Sequence, residues 1–425
     1  MKSSKNPWFM VDPFEIAIFL TLIVLSLASL LTEYSLGENL QFWGQGLWGL
    51  IGFMTQMSLI LMGGYVLAIS KPVRKLLGGL ASLPQTQNQS YLLCFFVSAL
   101  ACWCNWGLGL VTGAFFAIEL YSKNNKLHFP LLVAISYMGF IFWHAGLSGS
   151  IPLTVGTPGN FSEKWLGEVL PLSKTLFSFF NLGLIFVLWC SLAGLILYFS
   201  KNIKTTNKYK NLINTDVKFG TEKPNPFSQA MLWVLVILML FFIGQKISLG
   251  LFSLGLNEVI LLLFLLSILV YRDLNAYVKA ATEACSKLAP ILIQYPLYAG
   301  IMAIMIKSGL AVKISDAFVS FSSEVTYPVY MFLSAGLVNF FVPSGGGQWA
   351  VQAAVVVEGA KQLNVPLEKA VMAVAWGDAW TNLAQPFWAL PLLSIVGLGL
   401  KDIMLYCLSA LLVSGSVISL WFIIF

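Results

Sequence analysis

The sequence is poor in charge. Asp, Glu, Lys and Arg make up 10% of 425 residues, against 58% hydrophobic residues and a mean hydropathy of +0.83. Soluble domains carry about a quarter charged residues, so a water-soluble fold is excluded and a bilayer is the expected solvent. The 24 Lys and Arg exceed the 18 Asp and Glu, but they fall in short polar stretches between apolar runs. No basic stripe for nucleic acid results. Two histidines, His128 and His144, are too few for a histidine-rich metal site. Cys94, Cys102, Cys104, Cys190, Cys285 and Cys407 show no paired C-x-x-C spacing and sit mostly in apolar segments, which removes support for disulfide and zinc readings. Arginine is limited to Arg74 and Arg272, both in polar stretches.

What the sequence has is long apolar runs. The first, Phe14 to Leu31, follows Lys2 and Lys5, has Asp12, Pro13 and Glu15 at its mouth and lacks an A-x-A cleavage site, so it reads as a retained span. Further runs lie near 48–70, 130–153, 175–199, 229–244, 256–271, 290–306, 370–397 and 403–425; about 17 residues or more of helix cross the hydrocarbon layer. Lys71, Arg74 and Lys75, then Lys123 and Lys126, the loop from Lys201 to Lys223, and Arg272, Lys279 and Lys287 mark one side. The positive-inside rule makes that side cytoplasmic, with the N-terminus inside and the Glu33/Glu38 and Glu163/Glu168 loops outside. Both ends of residues 91–120 then belong to the cytoplasm, and a Gly-rich stretch, Asn105-Trp106-Gly107-Leu108-Gly109, lies between them. That segment reads as a re-entrant hairpin.

A shift of 236 positions gives a weak self-match. Gly64 falls on Gly300, Gly109 on Gly345, Pro130 on Pro366, and a second Gly-rich turn, Pro343-Ser344-Gly345-Gly346-Gly347-Gln348, falls on the first. An extra crossing at 229–244 inverts the second copy. The expected fold class is an all-α polytopic membrane protein with two inverted-topology repeats, each holding a re-entrant helical hairpin and a broken transmembrane helix. Residues 1–200 form the first repeat with its hairpin at about 91–120, residues 201–249 a cytoplasmic loop and linker span, and residues 250–425 the second repeat with its hairpin at about 327–360. The working count is nine spans and two hairpins.

Unwound backbone at membrane depth is tolerated only where protein or a water-filled cavity supplies partners. Four such stretches are expected: the two tips, His144 to Ser150, and Trp376 to Asn382, ending at Gln385-Pro386. The candidate substrate-binding residues are Asn105, Gly107, Gly109, His144, Ser148, Ser344, Gly345, Gly346, Gly347, Gln348, Asp378, Thr381 and Asn382. Helix N-termini after the tips bind a carboxylate without a cationic side chain, and carbonyls at the other ends offer places for a cation. Seven tryptophans, Trp103, Trp106, Trp143, Trp349, Trp376, Trp380 and Trp388, lie in or beside these stretches, where some rings are expected to line an apolar pocket and the others to pack. Asp378 is an intramembrane carboxylate, the usual mark of an ion or proton path, although a structural hydrogen bond is the plain alternative. Histidine titrates near neutral pH, so His144 is either a proton relay or a packing residue. Bringing one negative charge inward against about 100 mV costs roughly 2.3 kcal/mol, so uptake of a monocarboxylate calls for a coupled cation, H+ or Na+. No catalytic metal or organic cofactor is expected. An intramembrane acyltransferase or hydrolase using His144 and Asp378 as acid and base lacks a paired nucleophile motif; a dicarboxylate or other small organic anion carrier and a passive channel remain as competing readings.

Across essentially its whole length the chain resembles the bacterial short-chain fatty acid transporter family, within the ion transporter superfamily. The most specific pieces are Cys102 to Glu119, His144 to Asn160, Asn339 to Gln352 with its Pro-Ser-Gly-Gly-Gly-Gln core, and Ala373 to Pro391. The resemblance implies a multi-pass inner-membrane permease for acetoacetate, butyrate or similar acids, not an enzyme, with the lipid bilayer as its surroundings and a homodimer allowed for. Superfamily members hold substrate and sodium at paired hairpin tips and move that unit as an elevator, which by analogy maps onto Asn105, Gly107, Gly109 and Ser344 to Gln348. Those relatives usually carry Ser-Asn-Thr-like tips, which this chain replaces with Asn-Trp-Gly and Ser-Gly-Gly-Gly.

Overall fold

A computed structural model describes residues 13–203, 226–250, 256–286 and 288–425. The basic loop from Lys204 to Lys223, Lys2, Lys5 and Lys287 lie outside the described residues. Among the described residues every regular element is helical. The first half runs α1 (Pro13–Leu31), α2 (Leu36–Gly46), α3 (Ile51–Ile69), α4 (Lys71–Leu80), α5 (Gln87–Cys104), α6 (Trp106–Lys123) and α7 (Phe129–Met138). A 3-10 segment (Gly139–Ala145), α8 (Ser150–Val155), α9 (Glu163–Leu166) and α10 (Phe179–Asn202) follow. The second half comprises α11 (Pro226–Ser248), α12 (Leu256–Tyr271), α13 (Leu274–Cys285), α14 (Ala289–Lys307), α15 (Leu310–Ser320), α16 (Tyr327–Asn339) and α17 (Gly345–Gln362). It ends with α18 (Leu367–Thr381), a 3-10 turn (Asn382–Ala384), α19 (Pro386–Val396) and α20 (Leu400–Ile424).

Set aside α9 and α11, and the two halves repeat one order of elements. The starts of α2 to α7 precede those of α13 to α18 by 238 to 240 residues. The ungapped shift of 236 therefore slips by two to four positions, and it does so from α2 onward, well before either hairpin. Asn105 and Ser344, the residues that cap α6 and α17, are the true equivalents, rather than Gly109 and Gly345. Packing between the halves is reciprocal: α1 and α2 lie on α14, while their counterparts α12 and α13 lie on α3, the counterpart of α14. Glycines permit the closest of these approaches. A Cβ on Gly46 would stand 2.2 Å from Ala303 Cβ, and one on Gly300 would stand 2.5 Å from Trp43.

Among the described residues five helical segments are long and apolar enough to cross a membrane: Phe14–Leu31, Phe129–Val155, Phe179–Asn202, Pro226–Ser248 and Leu400–Ile424. Two further candidates are bent pairs, Leu36–Gly46 with Ile51–Leu67 at 43° and Ile291–Lys307 with Leu310–Ser320 at 68°. Asn257–Tyr271 and Pro386–Val396 are apolar but shorter. The linker helix α11 stands apart from the main core, packing Leu232, Val236 and Met239 against Leu265 and Ile268 of α12.

The innermost layer is formed by two helical hairpins, α5–α6 and α16–α17, and two interrupted helices, residues 129–155 and 367–396. Thr86 and Gln89 form a reciprocal capping box at the start of α5, and His128 Nδ1 accepts the Leu131 N–H at 3.2 Å to cap α7. His128 is thus a capping residue, with its basicity lowered by burial. The first interruption falls where expected, since residues 139–145 tighten to 3-10 and Gly146 to Gly149 are non-helical. The second occupies only the end of its expected stretch: Trp376 to Thr381 stay α-helical, and the break is confined to residues 382–385. Gly377 serves close packing there rather than unwinding: a Cβ would lie 2.3 Å from the Phe332 carbonyl of α16.

Candidate substrate site

At both breaks freed backbone groups are met by side chains or, for the Leu147 N–H, by a main-chain carbonyl of α5, as apolar surroundings require. The Ala145 carbonyl accepts Trp103 Nε1–H at 3.1 Å and Asn181 Nδ2–H at 3.2 Å, and the Leu147 N–H donates to the Trp103 carbonyl at 2.7 Å. At the second break Asn339 Nδ2 donates to the Asp378 carbonyl at 2.7 Å and to Asn382 Oδ1 at 2.7 Å. Gln385 Nε2 donates to the Asn339 carbonyl at 2.5 Å, and Tyr137 Oη to the Asn382 carbonyl at 2.6 Å. Gly146 lets the first break lie against the tip of α5, because a Cβ would stand 2.1 Å from the Trp103 carbonyl oxygen. Gly146→Ala is therefore expected to destabilise the detergent-solubilised protein by about 1–3 kcal/mol. Gly346→Ala, whose Cβ meets nothing within 4 Å, is the control; coincident thermal melts for the two variants would contradict this packing.

Between the tips and the breaks lies a cavity of about 550 Å3 lined by Phe53, Asn105, Trp106, Trp143, Leu147, Ser148, Ser150, Leu153, Thr157, Ser344, Gly345, Gly346 and Trp388. No charged side chain lines it. Asn105 Oδ1 is engaged by the Gly107 and Leu108 N–H groups, each at 3.1 Å, so the Asn105 amide nitrogen is its spare donor. The Trp106 N–H donates to Ser148 Oγ at 3.0 Å, tying the first break to the first tip. The α6 N-terminus is thereby filled by its own protein. On α17, Ser344 Oγ accepts only the Gly347 N–H, at 3.4 Å. The Gly345 and Gly346 amides open that helix, where intrahelical acceptors do not reach, and both residues line the cavity.

Aromatic faces make up most of the remaining wall. Trp106 and Trp388 meet edge to face at 5.1 Å, and Phe53 touches both. Trp143 and Trp388 are 3% exposed, and neither indole Nε1–H has a hydrogen-bond partner. Indole nitrogen only donates, so two of the lining residues carry a buried donor without an acceptor.

His144 and Asp378 adjoin the cavity through Ser150. His144 Nδ1 lies 3.1 Å from Asp378 Oδ1, while its Nε2 accepts the Ile151 N–H at 3.1 Å and lies 3.2 Å from Ser150 Oγ. Both side chains are almost fully buried, and Asp378 Oδ2 has no partner. The other sequence candidates stand behind the wall. Gly107 lies against Ile60, Gly109 lets α5 close on α6 at Cys102, and Gly347 faces Ser344. Gln348 bridges the Ala335 carbonyl and Gln352, and Thr381 and Asn382 bond Asn339. Of the seven tryptophans, Trp106, Trp143 and Trp388 reach the cavity; Trp103, Trp376 and Trp380 bond protein groups and Trp349 is buried outside the wall. Phe53 carried no signal in the sequence, because it sits in an otherwise ordinary apolar run, and Leu153 and Thr157 entered only as members of the stretch His144 to Asn160.

Apolar helices, interrupted spans and a central uncharged cavity define the class: a multi-pass membrane protein of the transporter kind. The sequence matches the short chain fatty acid transporter family over residues 3–425, and the chain belongs to that family. Two relatives share the provisional name short-chain fatty acid transporter. The Escherichia coli (strain K12) protein is 38% identical over 413 residues, covering 95% of this chain and 94% of its own. The Haemophilus influenzae (strain ATCC 51907 / DSM 11121 / KW20 / Rd) protein is 35% identical over 424 residues, covering 96% and 95%. The family is one of transporters and not of enzymes. Among solved structures, the Alcanivorax borkumensis YdaH transporter is 16% identical with a TM-score of 0.46, covering 97% of this chain and 98% of its own. Neisseria gonorrhoeae MtrF, described as illuminating a class of antimetabolite efflux pumps, is 16% identical with a TM-score of 0.45, covering 98% and 95%. At those scores neither bears on the fold or function of this chain.

Proposed function

We propose that the chain is a secondary active transporter of the bacterial inner membrane that takes up short monocarboxylates together with a cation. The substrate occupies the cavity between Asn105, Ser148 and Ser344 to Gly346. The observation that carries this is a wall of neutral donors and aromatic faces without a fixed cation: the Gly345 and Gly346 amides at a helix N-terminus suit one carboxylate, the buried indole N–H groups of Trp143 and Trp388 add donors once a ring turns, and the rings suit a short hydrocarbon tail. A second carboxylate would find no cationic partner in this wall, which disfavours dicarboxylates. The reciprocal packing of α1–α2 on α14 and α12–α13 on α3 supports two inverted repeats. Alternating access then follows from movement of the hairpins and broken helices as one body, in the elevator manner.

Proteoliposomes should accumulate labelled butyrate above protein-free liposomes when a cation gradient is imposed, and succinate should not compete. Gly346→Trp, placed where an added side chain enters the cavity, is expected to abolish uptake at an unchanged protein level. Full uptake by that variant, or equal competition by succinate, would refute the site or the substrate class.

A further inference from the structure

The His144–Asp378 pair is more than a packing contact, and its hydrogen bonds decide its state. The Ile151 N–H occupies His144 Nε2, so the ring's proton sits on Nδ1 and is donated to Asp378 Oδ1. A neutral imidazole beside an ionised carboxylate leaves one negative charge in the apolar interior, with Asp378 Oδ2 unpartnered. Such a charge is costly there unless compensated. One proton cancels it. The helices packed around residues 139–145 bring no other ionisable side chain within hydrogen-bond distance of His144. On α18, Glu368 and Lys369 lie about 14–15 Å along the helix from Asp378. Glu119, paired with Arg74, and Lys123 lie toward the far end of α6, as Lys201 does on α10. The remainder around residues 139–145 are thiols and phenols: Tyr91, Cys94, Cys102 and Cys104 on α5, Tyr121 on α6, Tyr137 on α7, and Cys190 and Tyr198 on α10. The other helices packed on α18 carry Tyr327 and Tyr330 on α16, Glu358 and Lys361 near the end of α17, and Lys401, Asp402, Tyr406 and Cys407 in the first part of α20.

Resting on the transport reading above, we infer that His144 and Asp378 are the proton-coupling site, loaded from the cavity through the Ser150 hydroxyl and sensed by the second hairpin tip at Gly345. Ser150 lines the cavity, and its Oγ lies 3.2 Å from His144 Nε2. A proton arriving from cavity water is accepted by Ser150 Oγ as the Ser150 hydroxyl proton passes to Nε2. The product is an imidazolium donating Nδ1–H to the Asp378 carboxylate, and release reverses the same transfer. The Trp143 ring, stacked on His144 at 4.1 Å and 17°, presents its negative face to that cation.

Loading also has a mechanical consequence. Once Nε2 carries a proton it no longer accepts the Ile151 N–H, and the ring must shift. Gly345 is the neighbour that feels it: a Cβ there would lie 2.4 Å from His144 Cε1 and 2.5 Å from Ser150 Oγ, so the hairpin backbone rests directly on the pair. Sodium suits this place less well. Asp378 Oδ1 already receives an N–H, and the carbonyls of Ala145, Asp378, Asn339 and Asn382 near the two breaks are taken by side-chain donors.

The test uses the full chain and needs two readouts. Butyrate dissociation constants are measured from pH 6 to 8.5, with and without sodium. If one proton binds with the substrate, the constant rises with pH, approaching about tenfold per unit, and sodium changes nothing. His144→Gln and Asp378→Asn flatten that profile, Asp378→Glu restores it, and His128→Gln leaves it intact. The second readout needs no ligand. Protonation of His144 quenches stacked Trp143, so tryptophan fluorescence shows a pH-dependent step that His144→Gln removes and His128→Gln keeps. A flat wild-type profile, a slope that survives His144→Gln, or affinity set by sodium overturns the proton site. Proteoliposomes that move no labelled butyrate under either gradient, while the fluorescence step persists, overturn the transport reading instead.

Discussion

Gly345→Ala is expected to cut butyrate uptake by about 5- to 150-fold without emptying the membrane of protein. The added Cβ would stand 2.4 Å from His144 Cε1, 2.5 Å from Ser150 Oγ and 3.0 Å from His144 Nε2. Something must move, because contacts under 3 Å are not sustained. Either the second hairpin tip withdraws from the cavity, or the imidazole leaves Asp378. Overpacking of this kind costs about 1–3 kcal/mol, and the range of loss is that energy expressed at about 1.4 kcal/mol per tenfold. The neighbouring Gly346→Ala meets nothing within 4 Å and is expected to lose far less. Initial rates of labelled uptake, corrected for the amount of reconstituted protein, provide the check. Equal rates for the two alanine variants would mean that the tip does not bear on His144.

Trp143→Phe combined with Trp388→Phe is expected to weaken butyrate binding while leaving the unliganded protein as stable as before or more so. The sign follows from the unpartnered donors. Each buried indole N–H costs about 1–3 kcal/mol while it lacks an acceptor, and phenylalanine keeps most of the ring surface without the donor. In the complex a turn of each ring would bring its N–H, now buried, to a carboxylate oxygen. A hydrogen bond to a charged group contributes about 1.5–3 kcal/mol, so each loss is expected to weaken binding by about 10- to 150-fold. Dissociation constants and thermal melts of the double variant separate the two effects. Unchanged affinity would show that the indoles only pack.

The helical class, the interrupted spans and both hairpins were legible in the sequence because each rests on a local requirement. Asn105 and Ser344 sit where a helix must be capped after a turn in apolar surroundings, and glycine and polar residues inside an apolar run announce such a turn. Asp378 and His144 stood out through rarity. Their similar depth from Pro130 and Pro366 already let the two stretches converge, whereas the direct hydrogen bond between them, across 234 residues of sequence, left no local trace. The state of α18 was misread for a related reason: Gly377 beside Asp378 looks like a helix breaker, whereas its purpose is to admit the Phe332 carbonyl. The repeat was visible, but its register was displaced because identities in an apolar chain weigh little against a slip that is present from α2 onward. The wall of the cavity was the least legible part. Phe53 and Thr157 acquire meaning only from what folds against them.

The crossed embrace of the halves bears on biogenesis. While α14 is still unmade, the membrane-inserted first half presents bare flanks on α1 and α2, and α3 waits for α12 and α13 to cover it. Neither half can bury those flanks by itself, so a nascent chain halted after α10 is left with unsatisfied lateral surfaces, open to lipid, insertion factors or proteolysis. Assembly is therefore a late event, completed when the final third of the polypeptide arrives.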